Sequence, residues 1–256
     1  MPDDHKKEPS RDHEAYLRNF NTLPFERIME KFRLRKILEI ASTIELAGDR
    51  DILEIGPGYN SLASDLWPDN QWTLLEPSQE LFILNLEKFE NQRNIQIFNY
   101  SLEKYLANLG ENEFGLVVLS SVLHELDNPI GVLREIYNSL VEGSKVLIVV
   151  PNNESVHRQF GVTLKILEDS SSQTTTEMMM QQKTNYSISS LEELIVLAGF
   201  KSVYVSTSFV KPHTHKQMQE WVDSKVLSTE DLDHLYDLSF AFHPFNAEIF
   251  MLVVKV

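Results

Sequence analysis

Short apolar runs separated by helix-length intervals constrain this chain most. Asp51–Ile55, Trp72–Leu75, Ile95–Phe98, Phe114–Leu119 and Val146–Val150 each read as a buried strand, and Phe245–Val256 has the apolar density of a last one. Helical patterns fall between them: one beginning over Ser61–Leu66, then Ser78–Phe89 and Pro129–Leu140. Strands alternating with helices over such lengths predict a parallel sheet covered on both faces. Right-handed crossovers then gather the loops that follow the strands along one sheet edge, where ligands bind. The predicted fold class is α/β, a Rossmann-like and mostly parallel sheet with helices on both faces. At 256 residues and 42% apolar content, one main core suffices.

Other segments decorate that frame. Phe25–Ala47 predicts a helix, with Ile28, Phe32, Leu34, Ile37, Leu38 and Ala41 forming its apolar stripe. Residues 1–47 are expected to form an N-terminal helical cap and residues 48–256 the main domain, with Met1–Asp12 polar and loose. The pattern weakens over 156–187, where polar Ser170–Thr176 precedes the run Met178–Met180. That stretch is expected to be an active-site insertion on the substrate side. Ser189 with Glu192 predicts a capping box, and Gly199 the end of the helix that follows it.

Composition removes several function classes. A formal net charge of -15 disfavours binding to nucleic acid or anionic lipid, which needs compensating positive charge. The absence of cysteine excludes disulfides, thiolate metal sites and cysteine nucleophiles. No apolar run approaches the roughly 20 residues of a membrane span. The charged start Met1–Arg11 lacks an apolar signal segment, so the expected location is cytoplasmic.

The strongest local signal is Asp51-Ile-Leu-Glu-Ile-Gly-Pro-Gly-Tyr59. Gly56 and Gly58 permit a tight turn and close approach of backbone to a ligand. Glu54, near the strand end, is placed to meet a cationic amino-acid group. Glu76, after the next strand in WTLLEPS, can accept two hydrogen bonds from a ribose diol. Ser101 and Leu102 follow the third strand and suit the edge and face of an adenine, although Ser101 can equally cap a helix. A glycine turn that merely joins strand to helix explains the turn alone, but not this sequence of acidic residues behind it.

Together these segments resemble the class I S-adenosylmethionine-dependent methyltransferases. The matching motifs are DILEIGPGY at Asp51–Tyr59, WTLLEPS at Trp72–Ser78, FGLVVLSSVLHELDNP at Phe114–Pro129 and GSKVLIVVPN at Gly143–Asn152. The resemblance covers about Asp51–Phe200 and implies S-adenosyl-L-methionine as cofactor. It implies that Gly56 and Gly58 lie beside the cofactor's amino acid and sugar, with Glu54 near its ammonium. Glu76 would hold the ribose hydroxyls, Ser101 and Leu102 would border adenine, and the Ser120 backbone would meet the methionine portion. Two features depart from the family pattern: Pro57 within the turn, and Ser101 where many members carry an acid. A nicotinamide-dependent oxidoreductase shares the glycine turn, but Tyr59-Asn60-Ser61 does not complete the three-glycine fingerprint. A catalytically silent cofactor-binding interaction protein is the other alternative.

Acceptor contacts are expected from PNNESVHRQFG at Pro151–Gly161, which resembles a loop of methyltransferases acting on sugar or secondary-metabolite precursors. His157 there is a candidate base and Arg158 a candidate grip on a carboxylate or phosphate. His124 is a second acid–base candidate. Tyr16 and His243 are candidate substrate contacts, with Tyr16, Phe20 and Phe25 as a possible aromatic lid. His213 and His215 lack further ligands for a metal, and none is expected. The expected reaction methylates a hydroxyl or amine of a small polar metabolite, by a monomer or homodimer.

Overall fold

A computed structural model describes residues 12–46, 50–106 and 114–256. The polar N-terminal segment expected to be loose therefore lies outside the described residues, apart from Asp12. Along the chain run α1 (His13–Phe20), α2 (Pro24–Ala41), β1 (Ile52–Ile55), β2 (Trp72–Leu75), α3 (Gln79–Lys88), β3 (Ile95–Phe98) and α4 (Leu102–Leu106). They are followed by β4 (Leu116–Ser120), α5 (Pro129–Ser139), β5 (Lys145–Pro151), α6 (Val156–Thr163), α7 (Thr175–Met179) and α8 (Ile188–Ala198). The chain closes with β6 (Phe200–Ser208), α9 (His215–Asp223), α10 (Thr229–Asp237), α11 (Ser239–Phe242) and β7 (Glu248–Lys255).

The seven strands form one sheet in the order β3-β2-β1-β4-β5-β7-β6. β1 to β5 are parallel, while β7 runs antiparallel between β5 and β6. Side chains alternate across each strand, so the two faces build separate apolar layers. Leu53, Ile55, Val117, Leu119, Ile148 and Met251 face α5 and α8 through Leu133, Ile136, Leu191 and Ile195. Ile52, Leu74, Val118, Val149 and Phe250 face α2 through Ile37 and Ile40. α2 thus belongs to the sheet's own core and does not only cap it. A third cluster joins Phe25, Met29 and Phe32 of α2 to Met218 of α9 and to Leu232 and Tyr236 of α10; Phe25 packs here and not on a lid.

Three local expectations are corrected. Ser61–Leu66 makes only a single 3₁₀ turn, Leu62–Ser64, before Trp67 takes a positive φ of 40° ahead of Pro68. The α8 capping box uses Ser187 and Ser190, two residues before the expected pair. Gly199 does end that helix, at φ 100°. α2 stops at Ala41, where the chain turns toward β1.

The insertion of 156–187 is folded as α6, a turn-rich loop and α7. It returns to the sheet where Asn152 pairs with Tyr186. The amides of Lys183 and Thr184 donate to the carbonyl of His124, at 2.8 and 3.2 Å. The expected insertion therefore sits against the turn that follows β4.

Candidate active site at the carboxyl edge of the sheet

β1 gives way to a loop at Ile55 because Gly56 and Gly58 take φ values of 67° and 60°, a region that costs glycine nothing. A Cβ on Gly56 would stand 2.9 Å from Val122 Cγ2, in the turn after β4, whereas one on Gly58 would meet nothing within 4 Å. The first glycine lets two strand ends close together; the second leaves open space above the loop. Gly56→Ala is expected to cost about 1–3 kcal/mol through the strained φ, a loss on the order of 2–10 °C in Tm. A thermal melt matching wild type would contradict that account.

Side chains behind the loop hold it open. The carboxylate of Glu76 is buried and accepts from the Gly58 amide at 3.2 Å and the Ser78 amide at 2.8 Å. Asn85 of α3, fully buried, donates to the carbonyls of Gly58 and Leu81, both at 2.8 Å. Asn99 donates to the carbonyls of Glu76 and Pro77 at 2.9 and 3.1 Å. Asn85 and Asn99 escaped sequence reasoning because their roles depend on distant backbone.

Glu54 lies inside the loop. It accepts from Ser61 Oγ at 2.6 Å and from the Leu62 amide at 3.1 Å. Burial pushes its carboxyl up to about 7, against the lowering effect of those donors and of Lys88; the charge of Glu76 adds a smaller upward push. Ser101 accepts from the Lys104 amide at 3.3 Å and so caps the start of α4, while Leu102 is buried. Ser120 ends β4, and Ser121 beyond it holds a φ of 60°, uncommon for a residue other than glycine.

All seven expected cofactor residues line one cavity of about 840 Å³. Its roof is α1, which contributes Tyr16, Leu17 and Phe20. Phe20 stacks on Tyr59 of the glycine loop with ring centroids 5.9 Å apart, and the Arg27 guanidinium lies 3.9 Å from the Tyr59 ring centre. Asn19 donates to the Met179 carbonyl at 2.7 Å, and Gln181 pairs with the Asp12 backbone at 2.8 and 3.2 Å. The N-terminal helix that lines the cavity is thus tied to the segment 156–187.

The acceptor candidates fare less evenly. Tyr16 lines the cavity. Arg158, the expected grip on a substrate anion, does not. Its buried guanidinium donates to the carbonyls of Ser170 (2.6 Å) and Ser172 and pairs with Glu177. The side chain staples the insertion from within. His157 is also absent from the cavity wall; its Nδ1 meets Ser155 Oγ at 3.0 Å. Burial, with the charge of Lys211 beside it, holds that imidazole well below its usual range and hence neutral. His243 is exposed, with Nδ1 3.0 Å from Thr207 Oγ1, away from the cavity lining.

His124 is buried beneath the 3₁₀ turn Leu123–Glu125, and the residue of that turn reaching the cavity is Glu125. His124 Nε2 lies 4.0 Å from Glu125 Oε1. Sequence reasoning selected the imidazole by its chemistry and missed the neighbouring carboxylate. His215 is 3.0 Å from Glu26, and His213 packs on Trp221 with centroids 4.4 Å apart. Among the described residues no group of three or more acidic, histidine or cysteine side chains is placed to hold a metal ion.

A parallel sheet completed by the antiparallel strands β7 and β6, with a glycine loop and a buried carboxylate at its carboxyl edge, defines a nucleoside-binding α/β protein. The model of the methyltransferase domain family matches residues 25–205. The chain belongs to that family and has the fold of the class I S-adenosylmethionine-dependent methyltransferases, which removes the dehydrogenase alternative. No curated protein matches the chain in sequence. Among solved structures, it is similar to a SAM-dependent methyltransferase from Archaeoglobus fulgidus at 16% identity and TM-score 0.57, covering 90% of this chain and 94% of that one. The plantazolicin methyltransferase BamL, in complex with a triazolic desmethylPZN analogue and SAH, matches at 15% identity and TM-score 0.59, over 95% and 90%. The mitomycin 7-O-methyltransferase MmcR matches at 14% identity and TM-score 0.56, over 91% of this chain and 56% of that one. At these identities the likeness establishes the fold.

Proposed function

We propose that the chain transfers a methyl group from S-adenosylmethionine to a hydroxyl or amine of a small polar molecule bound beneath α1. The observation that carries this is the convergence of Gly56, Gly58, Glu54 and Glu76 on one roofed cavity. The residues fit the cofactor. The space above Gly58 would admit its sugar, Glu76 carries a carboxylate that would accept from its ribose diol, and Ser101 with Leu102, in the same lining, would border its base. S-adenosylmethionine supplies a sulfonium-bound methyl group, and the chain's part is to align an acceptor with it and exclude water. Among the described residues no helix is long and apolar enough to cross a membrane. A cytoplasmic monomer or homodimer acting on a free metabolite is the arrangement we infer.

Calorimetry with S-adenosylmethionine, its demethylated product and NAD tests this reading. Binding of the first two is expected, and binding of NAD alone would overturn it. Cofactor binding without methylation of any compound in extracts of the source organism would favour the silent interaction protein.

Glu54 adds a pH signature. Its folded pKa of about 7 lies above the ordinary glutamate value of 4.5. The folded protein therefore holds an extra proton between those values, and stability falls as pH rises through that window. A cationic ligand favours the carboxylate, so binding S-adenosylmethionine near pH 6 is expected to release a large fraction of one proton. Calorimetry in two buffers of different ionisation enthalpy reads that release directly. Glu54→Gln should abolish it; equal release from the variant would assign the proton elsewhere.

A further inference from the structure

The charged lining of the cavity is one-sided. Six carboxylate residues line it, Glu30, Glu54, Glu76, Glu125, Asp127 and Glu135, against a single guanidinium, Arg33. That guanidinium is committed: it donates to Glu26 at 2.8 Å and to Glu248 at 2.7 Å, both outside the lining. Arg158, the cation expected to meet substrate, is buried in the insertion. No arginine or lysine side chain of the described lining remains to neutralise an anionic acceptor.

The carboxylates divide by position. Glu54, on β1, and Glu76, just after β2, stand beside the glycine loop. Glu135 is exposed on α5, and Asp127 pairs at 3.0 Å with Lys183 of the insertion, both side chains half exposed. Glu125, 4.0 Å from His124, differs from these in burial: its side chain is only 7% exposed, yet it lines the cavity. It sits in the turn directly after β4, whose Val122 packs on Gly56. A buried carboxylate beside the cofactor loop favours a cationic or hydrogen-bond-donating partner and repels an anion.

Resting on the methyl-transfer reading above, we propose that the acceptor is an amine that enters as an ammonium ion and docks on Glu125, Glu30 adding to the attractive field. Glu125 accepts a proton from the ammonium and so exposes the nitrogen lone pair. The nitrogen then bonds to the methyl carbon while the carbon–sulfur electron pair stays on sulfur, leaving a neutral thioether. The product leaves as a methylated ammonium ion, and the proton on Glu125 passes to water.

The test uses the full chain loaded with S-adenosylhomocysteine, and three matched probes: benzylamine, benzyl alcohol and benzoate. Saturation-transfer NMR titrations at pH 7 are expected to show benzylamine binding at least tenfold more tightly than benzoate, with the alcohol between. Glu125→Gln should weaken benzylamine binding about tenfold or more and leave the S-adenosylhomocysteine Kd unchanged. Benzoate binding as tightly as benzylamine to the wild type would overturn the proposal, and that comparison needs no variant. So would a Glu125→Gln protein that retains benzylamine affinity. Failure of S-adenosylhomocysteine to bind the wild type would instead refute the methyltransferase reading beneath it.

Discussion

Glu76→Ala is expected to weaken S-adenosylhomocysteine binding about 100-fold or more. A hydrogen bond to a charged group contributes about 1.5–3 kcal/mol, and a ribose diol can give a carboxylate two of them. The Gly58 and Ser78 amides fill two of its acceptor positions, and a carboxylate offers about four. The same side chain ties the loop and lines the cavity that the cofactor would fill. Its removal also leaves those two amides without their carboxylate, so a Tm decrease of several degrees accompanies the lost affinity. Glu76→Gln separates the contributions, because it keeps an acceptor oxygen for the loop but loses the charge. That variant should melt close to wild type and still bind at least tenfold more weakly. An unchanged Kd in a folded Glu76→Ala protein would remove Glu76 from the cofactor site.

The parts of this site that could be read from the sequence are those set by local chemistry at strand ends. β2 and β3 occupy the residues their apolar runs predict, Trp72–Leu75 and Ile95–Phe98: β2 is buried throughout, with no polar face to confuse the pattern, and at the sheet edge the half-buried Ile95, Ile97 and Phe98 keep the run visible although Gln96 is exposed. Gly56, Gly58 and Glu76 follow directly from those strands. β6 was not foreseen. Most of Phe200–Ser208 is exposed or half-buried at the sheet edge, so it offers no continuous apolar run. α9 and α10 were missed as well, since His215–Asp223 and Thr229–Asp237 are polar helices that bury only Met218 and Leu232 with Tyr236.

Side-chain roles beyond the strand ends were legible in kind but not in place. PNNESVHRQFG begins on the last residue of β5, as its place after the apolar run implied, but much of its polarity goes into bonds within the protein. Ser155 stands at the N-cap position of α6 with its hydroxyl turned to His157, and Asn152 donates to the carbonyls of Pro244 and Asn246 at 2.8 Å. Only partners far along the chain decide such cases: Ser170, Ser172 and Glu177 for Arg158, and Met179 for Asn19. Polar residues clustered after a strand therefore announced an edge segment without showing which side chains face the ligand.

Arg158→Met is the sharpest test of that distinction, and its expected effect is a loosened insertion. Breaking a buried ion pair from one side costs about 3–5 kcal/mol, because the remaining charge is left without its partner. Here the stranded group is Glu177, whose carboxylate also accepts from the Thr174 amide at 2.7 Å in the capping box of α7. The Ser170 and Ser172 carbonyls lose their donor in the same step. The cost falls on the insertion before the sheet, whose apolar layers do not include Arg158. Hydrogen exchange over residues 156–187 should therefore accelerate on the order of 100-fold or more, with a smaller fall in the global Tm. Because Asn19 and Asp12 tie α1 to Met179 and Gln181, protection in α1 should fall too. Adding Glu177→Gln to Arg158→Met removes the stranded charge and should restore part of the protection. If Arg158 instead held an anionic acceptor, Arg158→Met would leave exchange in the insertion at the wild-type rate, and that result would return the guanidinium to the substrate site.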